Sequence, residues 1–378
     1  MTIRTLMTTA AACAVVAAPA LAEINIGASI SETGPAAFLG DPEAKTLRME
    51  VDKINAEGGI NGEEINLIMY DDGGDANKAR TFATRLVEDD EVIAVIGGTT
   101  TGTTMAMVPV FEDAEIPFIS LAGAVEIIEP VKEFTFKTPH TDRMACEKIF
   151  EDMTARGFTK IGMISGSDGF GASMQAQCKD VAESAGVEIV ADEVYGPQDA
   201  DMTPQLTNIK GSGAEAILNS GMGQGPAVVT RNHTQLAIDA PLYQSHGVAS
   251  KQFIELAGTE AAEGVRLPAA ALLVADQLGD DDPQKPVVTG YRDGYEEETG
   301  EDVSTFGGHA YDALMILKAA IEQAGAEDPV AIRDAIEATK GFVGTGGEVN
   351  YSAEDHLGLS LDAFTMLEIR DGEWTIVE

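Results

Sequence analysis

The stretch from Val92 to Ala124, VIAVIGGTTTGTTMAMVPVFEDAEIPFISLAGA, constrains the fold of this chain more than any other. An apolar run, Val92 to Ile96, ends in glycine and a series of hydroxyl residues. A helix-length segment follows, and a second apolar run, Ile116 to Ile119, stops at Ser120. Strand, turn, helix, strand is the signature of a parallel crossover. In an open parallel sheet ligands sit outside the carboxyl ends of the strands, so both polar turns are expected to face one crevice. Gly97, Gly98 and Thr99 to Thr104 would let backbone N–H groups and hydroxyls converge on an anion at the N-terminus of a helix beginning near Gly102. The turn offers no base, nucleophile or metal-ligand cluster. It is suited to holding a molecule rather than transforming it.

The same alternation runs through the chain. Ile24 to Ala28 reads as a strand, and Asp41 to Glu57 as a helix with Leu47, Val51 and Ile54 on one face, stopped by Gly58-Gly59. Ile65 to Tyr70 is the next strand and Asn77 to Glu88 the next helix. After Phe134 to Pro139, an extended piece suited to crossing between domains, a second series begins. It comprises a helix over Asp142 to Arg156, strands at Lys160 to Ser165, Val187 to Val194 and Ala216 to Ser220, and a helix over Ala172 to Ala185. Arg266 to Ala275 is expected to be extended and to return to the first domain. Val287 to Thr299, Gly307 to Gln323 and Asp328 to Thr339 read as helices. The fold class is therefore α/β, with doubly wound parallel sheets. Asp71-Asp72 at a strand end tempts one toward a metal or a general acid, but turn formation and helix capping are the expected roles. Gly166 to Gly171 lacks the spacing and the Lys-Ser/Thr ending of a nucleotide loop.

The first 22 residues, MTIRTLMTTAAACAVVAAPALA, form a secretory signal with an A-x-A site, so cleavage is expected after Ala22 and the mature protein is expected to be periplasmic. Removing residues 1–22 takes away only the charge of Arg4 and moves the net charge from −39 to −40. Such an acidic excess argues against nucleic acid and anionic lipid as partners. The 356 residues that remain are enough for two domains, and none of them forms a membrane-length apolar run. Cys146 and Cys178 each sit in a helix-like segment, and an oxidising compartment permits a disulfide without establishing that the two are close. No cofactor motif is present, and zinc lacks a nearby His or Cys cluster.

The segments IGASISETGPAAFLG, INAEGGINGEEINLIMYDD, AVIGGTTTGTT, PFISLAGA, FKTPHTD, DGFGAS and GHAYDALMILKAAIEQAG, in this order and spacing, resemble the type I periplasmic binding proteins of ABC transporters, in particular the leucine/isoleucine/valine-binding group. The resemblance covers essentially all of the mature chain. It implies two doubly wound lobes joined by three hinge crossings, with residues 23–137 and 271–345 in lobe one and 138–270 and 346–378 in lobe two. It also implies a non-catalytic receptor, acting as a monomer, that delivers a small organic acid to permease subunits in the membrane. The family pattern puts ligand-carboxylate contacts at Thr99 and Thr101 and at Ser120, Ala122 and Ala124, with Ala122 acting through its backbone N–H. Phe170 falls where the family often has an aromatic wall.

Amino-acid-binding members carry an acid after a lobe-two strand, and the matching position here is His246. A buried ammonium without a carboxylate costs several kcal/mol. The segment Tyr243 to Ala249, together with the threonine turn, is more similar to members that bind aromatic carboxylates such as benzoates and hydroxycinnamates. In that reading Phe38, Leu39, Phe170 and Met222 form an apolar slot, while His246 and His309 bond the far end of the ligand. The alternative within the family is a branched-chain or other apolar amino acid. An exported hydrolase, a third class, would need an activated nucleophile, and Gly-x-Ser-x-Gly is absent from the mature chain.

Overall fold

Short apolar runs too brief for helices alternate with amphipathic segments, and the runs at the centre of each sheet become strands buried on both faces. The computed structural model describes residues 23–377; the expected export signal and its cleavage site lie outside the described residues. The chain opens with β1 (Glu23–Ile30), α1 (Ala37–Ala56), β2 (Glu64–Asp71), α2 (Ala76–Glu88), β3 (Ala94–Gly97), α3 (Thr101–Ala114), β4 (Phe118–Ser120) and β5 (Thr135–Lys137). A second series follows: α4 (Asp142–Ala155), β6 (Lys160–Gly166), α5 (Gly169–Ala182), β7 (Glu188–Tyr195), α6 (Thr203–Gly211), β8 (Ala216–Ser220), α7 (Gly225–Gln235), β9 (Leu242–Gln244), α8 (Lys251–Ala257), α9 (Thr259–Ala262) and β10 (Arg266–Ala269). The remainder is α10 (Lys285–Thr299), α11 (Thr305–Ala324), α12 (Pro329–Glu337), β11 (Phe342–Val343), β12 (Glu348–Val349), β13 (Thr365–Arg370) and β14 (Glu373–Ile376).

The first sheet has the order β2-β1-β3-β4-β5 and all of its pairs are parallel. The second has the order β14-β13-β10-β9-β8-β6-β7, parallel except where β13 meets β10 and β14. The two sheets define two lobes, and the chain crosses between them three times. Leu47, Val51 and Ile54 of α1 pack into the lobe-one core as their helical spacing requires.

Several boundaries differ from the sequence reading. Helix α1 begins at Ala37 rather than Asp41, because a 3-10 turn at Gly34–Ala36 feeds directly into it. Phe38 and Leu39 therefore sit on its first turn. Residues Arg266 to Ala275 are not extended throughout: the strand ends at Ala269 and a 3-10 segment spans Ala271–Gln277. Asp71 and Asp72 do build the turn, accepting from Thr33 and Gly73 and from Ser29, Ser31 and Gly74 respectively. They do not cap α2, since Asp75 accepts from Asn77 N and Lys78 N instead. The question left open for the cysteines is answered by a Cys146–Cys178 disulfide that ties α4 to α5 across 32 residues of sequence. A loop of that length corresponds to roughly 3 to 4 kcal/mol in the chain-entropy account.

Candidate functional site

The carboxyl ends of β3 and β4 open toward lobe two. Gly98, at φ 69°, makes the turn out of β3, where a Cβ would lie 2.2 Å from Thr104 Oγ1. Helix α3 then starts with a capping box: Thr100 Oγ1 accepts from Thr103 N, and Thr103 Oγ1 accepts from Thr100 N. That arrangement satisfies two donors and leaves the N–H groups of Thr101 and Gly102 without an intrahelical acceptor. Thr101 Oγ1 is buried and has no hydrogen-bond partner among the described residues. The turn presents donors and no charge.

The opposing turn from lobe two follows β6. Here Asp168 caps α5, accepting from Phe170 N at 3.0 Å and Gly171 N at 3.1 Å. A carboxylate already occupies this helix terminus, so it is closed to an anion. The two turns touch: a Cβ on Gly169 would lie 3.5 Å from Gly102 N and 3.6 Å from Thr101 Cβ. Gly123 inserts between lobe-two rings, and a Cβ there would approach Phe170 Cε2 to 2.8 Å and His246 Nε2 to 3.0 Å. On another side Thr305 donates through N and Oγ1 to Ala249 O, at 3.4 and 3.1 Å. The lobes are thus closed on one another.

Between them lies a cavity with about 520 Å³ of non-atom space, its mouth included. Its apolar wall includes Leu39, Leu121, Phe170, Met222, Phe306 and Phe364, and its polar wall Thr99, Thr100, Thr101, His140, Thr305, His246 and His309. None of the described residues lining it is acidic or a lysine or arginine.

Three of the five histidines of the chain meet here. Burial holds all three imidazoles neutral: it pushes His140 and His246 down to about 3, and His309 well below the ordinary range, with His140 and His246 repelling its charged form further. His140 stacks on Phe364 at 3.9 Å, and His246 stands edge-on to Phe170 and to Phe364, 5.4 Å from each. His140 Nε2, both ring nitrogens of His246 and His309 Nδ1 are buried without a hydrogen-bond partner among the described residues. Buried polar atoms are nearly always bonded, so a cluster of exceptions marks a place prepared for something else.

Behind this wall the hinge is densely bonded. Thr138 Oγ1 donates to His309 O at 2.9 Å, and Tyr351 Oη donates to Lys137 O at 3.0 Å. Asp312 accepts from Thr345 N and Gly346 N at 2.7 and 2.8 Å, and burial raises its carboxyl to about 7. Lys137, wholly buried at the end of β5, is lowered to about 7 by burial, against the opposing pull of Asp142.

Of the residues proposed from sequence, Leu39, Thr99, Thr101, Phe170, Met222, His246 and His309 line the cavity. Phe38, Ser120, Ala122 and Ala124 do not. Phe38 stands edge-on to Phe306 at 5.8 Å and lines a separate groove. Ser120 Oγ is shared with Thr104 Oγ1 and accepts from Ala122 N at 3.2 Å, so the N–H expected to meet the ligand is already used. Ala124 is fully buried and its carbonyl faces Lys137 Nζ. Their neighbours Leu121 and Gly123 reach the cavity instead. Thr99 is present at the wall, but its hydroxyl donates to Glu43 Oε2 at 2.6 Å and accepts from Ser31 N. Burial raises the Glu43 carboxyl well above the usual range.

Sequence reasoning missed His140, Phe306 and Phe364. Phe306 stands one helical turn before His309 and shares its face, so a signal was available. His140 lies inside FKTPHTD, a crossing segment whose position beneath the cleft gives weight to a lone histidine. Phe364 reaches the site from the C-terminal segment, and no local pattern announces it.

A cleft between two doubly wound lobes, closed over a small cavity with unpaired donors, defines a bilobal solute-binding protein. The chain matches the family model described as periplasmic binding protein over residues 23–373 and belongs to that family. It is 25% identical over 325 residues to the leucine-, isoleucine-, valine-, threonine- and alanine-binding protein of Pseudomonas aeruginosa, covering 85% of this chain and 84% of that one. An extracellular ligand-binding receptor from Rhodopseudomonas palustris has a crystal structure that superposes with a TM-score of 0.88 at 28% identity, over 94% of this chain and 100% of that one. The branched-chain amino acid transporter substrate-binding protein LivJ of Streptococcus pneumoniae, solved with isoleucine, superposes with a TM-score of 0.83 at 25% identity, over 94% and 99%. The family is one of extracytoplasmic proteins that bind small ligands and work with ABC transporter permeases, and its fold is that of solute-binding proteins rather than enzymes.

Proposed function

We propose that this protein captures a small apolar organic acid without an amine, of the aromatic carboxylate type (benzoate, hydroxybenzoate or hydroxycinnamate), and delivers it as a monomer to a membrane permease. One observation carries the reading: the described residues lining the cavity include no carboxylate, and their three histidines are neutral. An ammonium group enclosed there would lack a countercharge, at a cost of several kcal/mol. The acid end of the ligand is assigned to Thr101 Oγ1 and the first N–H groups of α3, where the helix terminus favours negative charge. The rings of Phe170, Phe306 and Phe364 supply flat apolar walls for the body. Closure about crossings near residues 137, 270 and 345 is favoured only as far as the ligand binds the closed state better. Contacts from both lobes, Thr101 on one and Phe170 and His246 on the other, meet that requirement.

A second reading has a specific basis. The Pseudomonas relative is named for leucine, isoleucine, valine, threonine and alanine, and LivJ was solved with isoleucine; neither name points to an aromatic acid. These names favour a branched-chain or other apolar amino acid, in which case the ammonium must rest on hydroxyls and carbonyls alone. Titration calorimetry with 4-hydroxybenzoate and with leucine separates the two. The first reading expects 4-hydroxybenzoate to bind at least about a hundredfold more tightly, or about 2.7 kcal/mol. Leucine binding the more tightly would replace it with the second.

A further inference from the structure

We infer that the three imidazoles select ligands bearing an uncharged hydroxyl at the end remote from the carboxylate, with His246 as the principal reader and His140 its companion from the hinge crossing. This rests on the reading of the ligand as an amine-free apolar acid and narrows it.

A neutral imidazole carries one N–H donor and one bare nitrogen acceptor. Both ring nitrogens of His246 are buried and make no hydrogen bond of good geometry among the described residues; the His140 backbone lies close enough to one of them to accept from it, and the other still calls for a partner. His140 Nε2 and His309 Nδ1 are likewise buried without a partner, in residues that line the same cavity. A methyl or halogen substituent satisfies none of these atoms well, and an ether or carbonyl oxygen can only accept. A hydroxyl both donates and accepts, and is the smallest group that answers two imidazoles at once. A site whose buried polar atoms require such a group rejects the analogue that lacks it.

The rings are also held by contacts within lobe two. His140 lies flat on Phe364 at 3.9 Å, and His246 is wedged edge-on between Phe170 and Phe364. The directions of the nitrogens are therefore preset, which lowers the ordering cost of recognition. His140 follows Pro139 in the first crossing, and the neighbouring Thr138 hydroxyl is bonded to His309 O. A hydroxyl bound here thus contacts the hinge segment itself as well as lobe two.

The test is calorimetry at neutral pH with 4-hydroxybenzoate, benzoate and leucine on the whole mature protein, with thermal unfolding to verify each fold. The wild type is expected to bind 4-hydroxybenzoate at least tenfold more tightly than benzoate. His246→Phe should erase that preference, bringing the two affinities to within about threefold of each other whatever their absolute values. His246→Gln, which keeps a donor and an acceptor, should retain part of the preference, and His140→Phe should reduce it. Equal or tighter binding of benzoate by the wild type would overturn the inference, as would a preference that survives both phenylalanine variants. Leucine bound with both acids excluded is a different pattern, and it would overturn the parent reading and the inference together.

Discussion

The two walls of the cleft are built from similar parts to opposite ends. On each side a parallel strand turns into a helix whose first residues face the cavity, but α3 is capped by Thr100 and α5 by Asp168. The threonine cap leaves α3 with free N–H groups and an unpaired Thr101 hydroxyl, whereas the aspartate cap fills α5 with its own negative charge. One helix terminus is open to an anion and the other is closed. The lobe-two wall carries neutral rings and unpaired imidazole nitrogens instead, and under the proposed function acid recognition and recognition of the rest of the ligand are divided between lobes. Under that proposal closure would depend on both ends of one molecule.

The sharpest way to break the contrast is to give α3 the cap that α5 already has. Thr100→Asp is expected to lower carboxylate affinity at least about a hundredfold, or about 2.7 kcal/mol by calorimetry, with thermal stability unchanged or slightly raised because aspartate is itself a good cap. Undiminished affinity would remove the α3 terminus from the site.

The second prediction turns on titration, which the lobe-two wall has and the threonine turn lacks. The folded-state pKa of His246 is depressed to about 3 by burial, below its ordinary 6.5. As pH falls below 6.5 the unfolded chain takes up a proton that the folded chain refuses, so stability is lost through that window. Buried Asp312 acts in the opposite sense. Its raised pKa means the folded state holds a proton between about 3.8 and 7 that the unfolded chain has released. The stability difference between His246→Phe and the wild type isolates the histidine. It should shift in the variant's favour by up to ~1.4 kcal/mol per pH unit on acidification from pH 6.5, measured by denaturant unfolding. A difference that stays constant with pH would mean His246 is free to protonate in the fold.

The smallest change probes the open terminus without adding charge. Thr101→Val keeps shape and removes the unpaired hydroxyl, and it should weaken carboxylate binding about tenfold, or about 1.4 kcal/mol, with the fold retained. Unchanged affinity would assign the acid to backbone N–H groups alone.

The strand-turn-helix character of Val92 to Ala124 was legible because glycine and threonine clusters between apolar runs have few other uses. Thr101, Phe170 and His246 came from the family resemblance rather than from the local pattern, and each lines the cavity at the end of a strand or the start of a helix. Ser120, Ala122 and Ala124, drawn from the same resemblance, do not line the cavity. Along this loop neighbouring positions diverge, and the Ser120 hydroxyl takes up the Ala122 N–H. Phe38 failed for a related reason: with α1 beginning four residues early, its ring is carried to Phe306 and away from the cavity.

By itself the amino-acid sequence determined the doubly wound lobes and the hydroxyl-lined turn, since hydrophobic period, glycine placement and capping residues act over a few neighbours. Only the tertiary structure decided that His140, His246, His309 and Phe364 share one wall, because those residues are up to 224 positions apart in sequence and meet through the hinge crossings. Whether a hydroxyl or an N–H is spent internally or left for a ligand is also a tertiary matter. It depends on which partner the closed fold brings within about 3 Å.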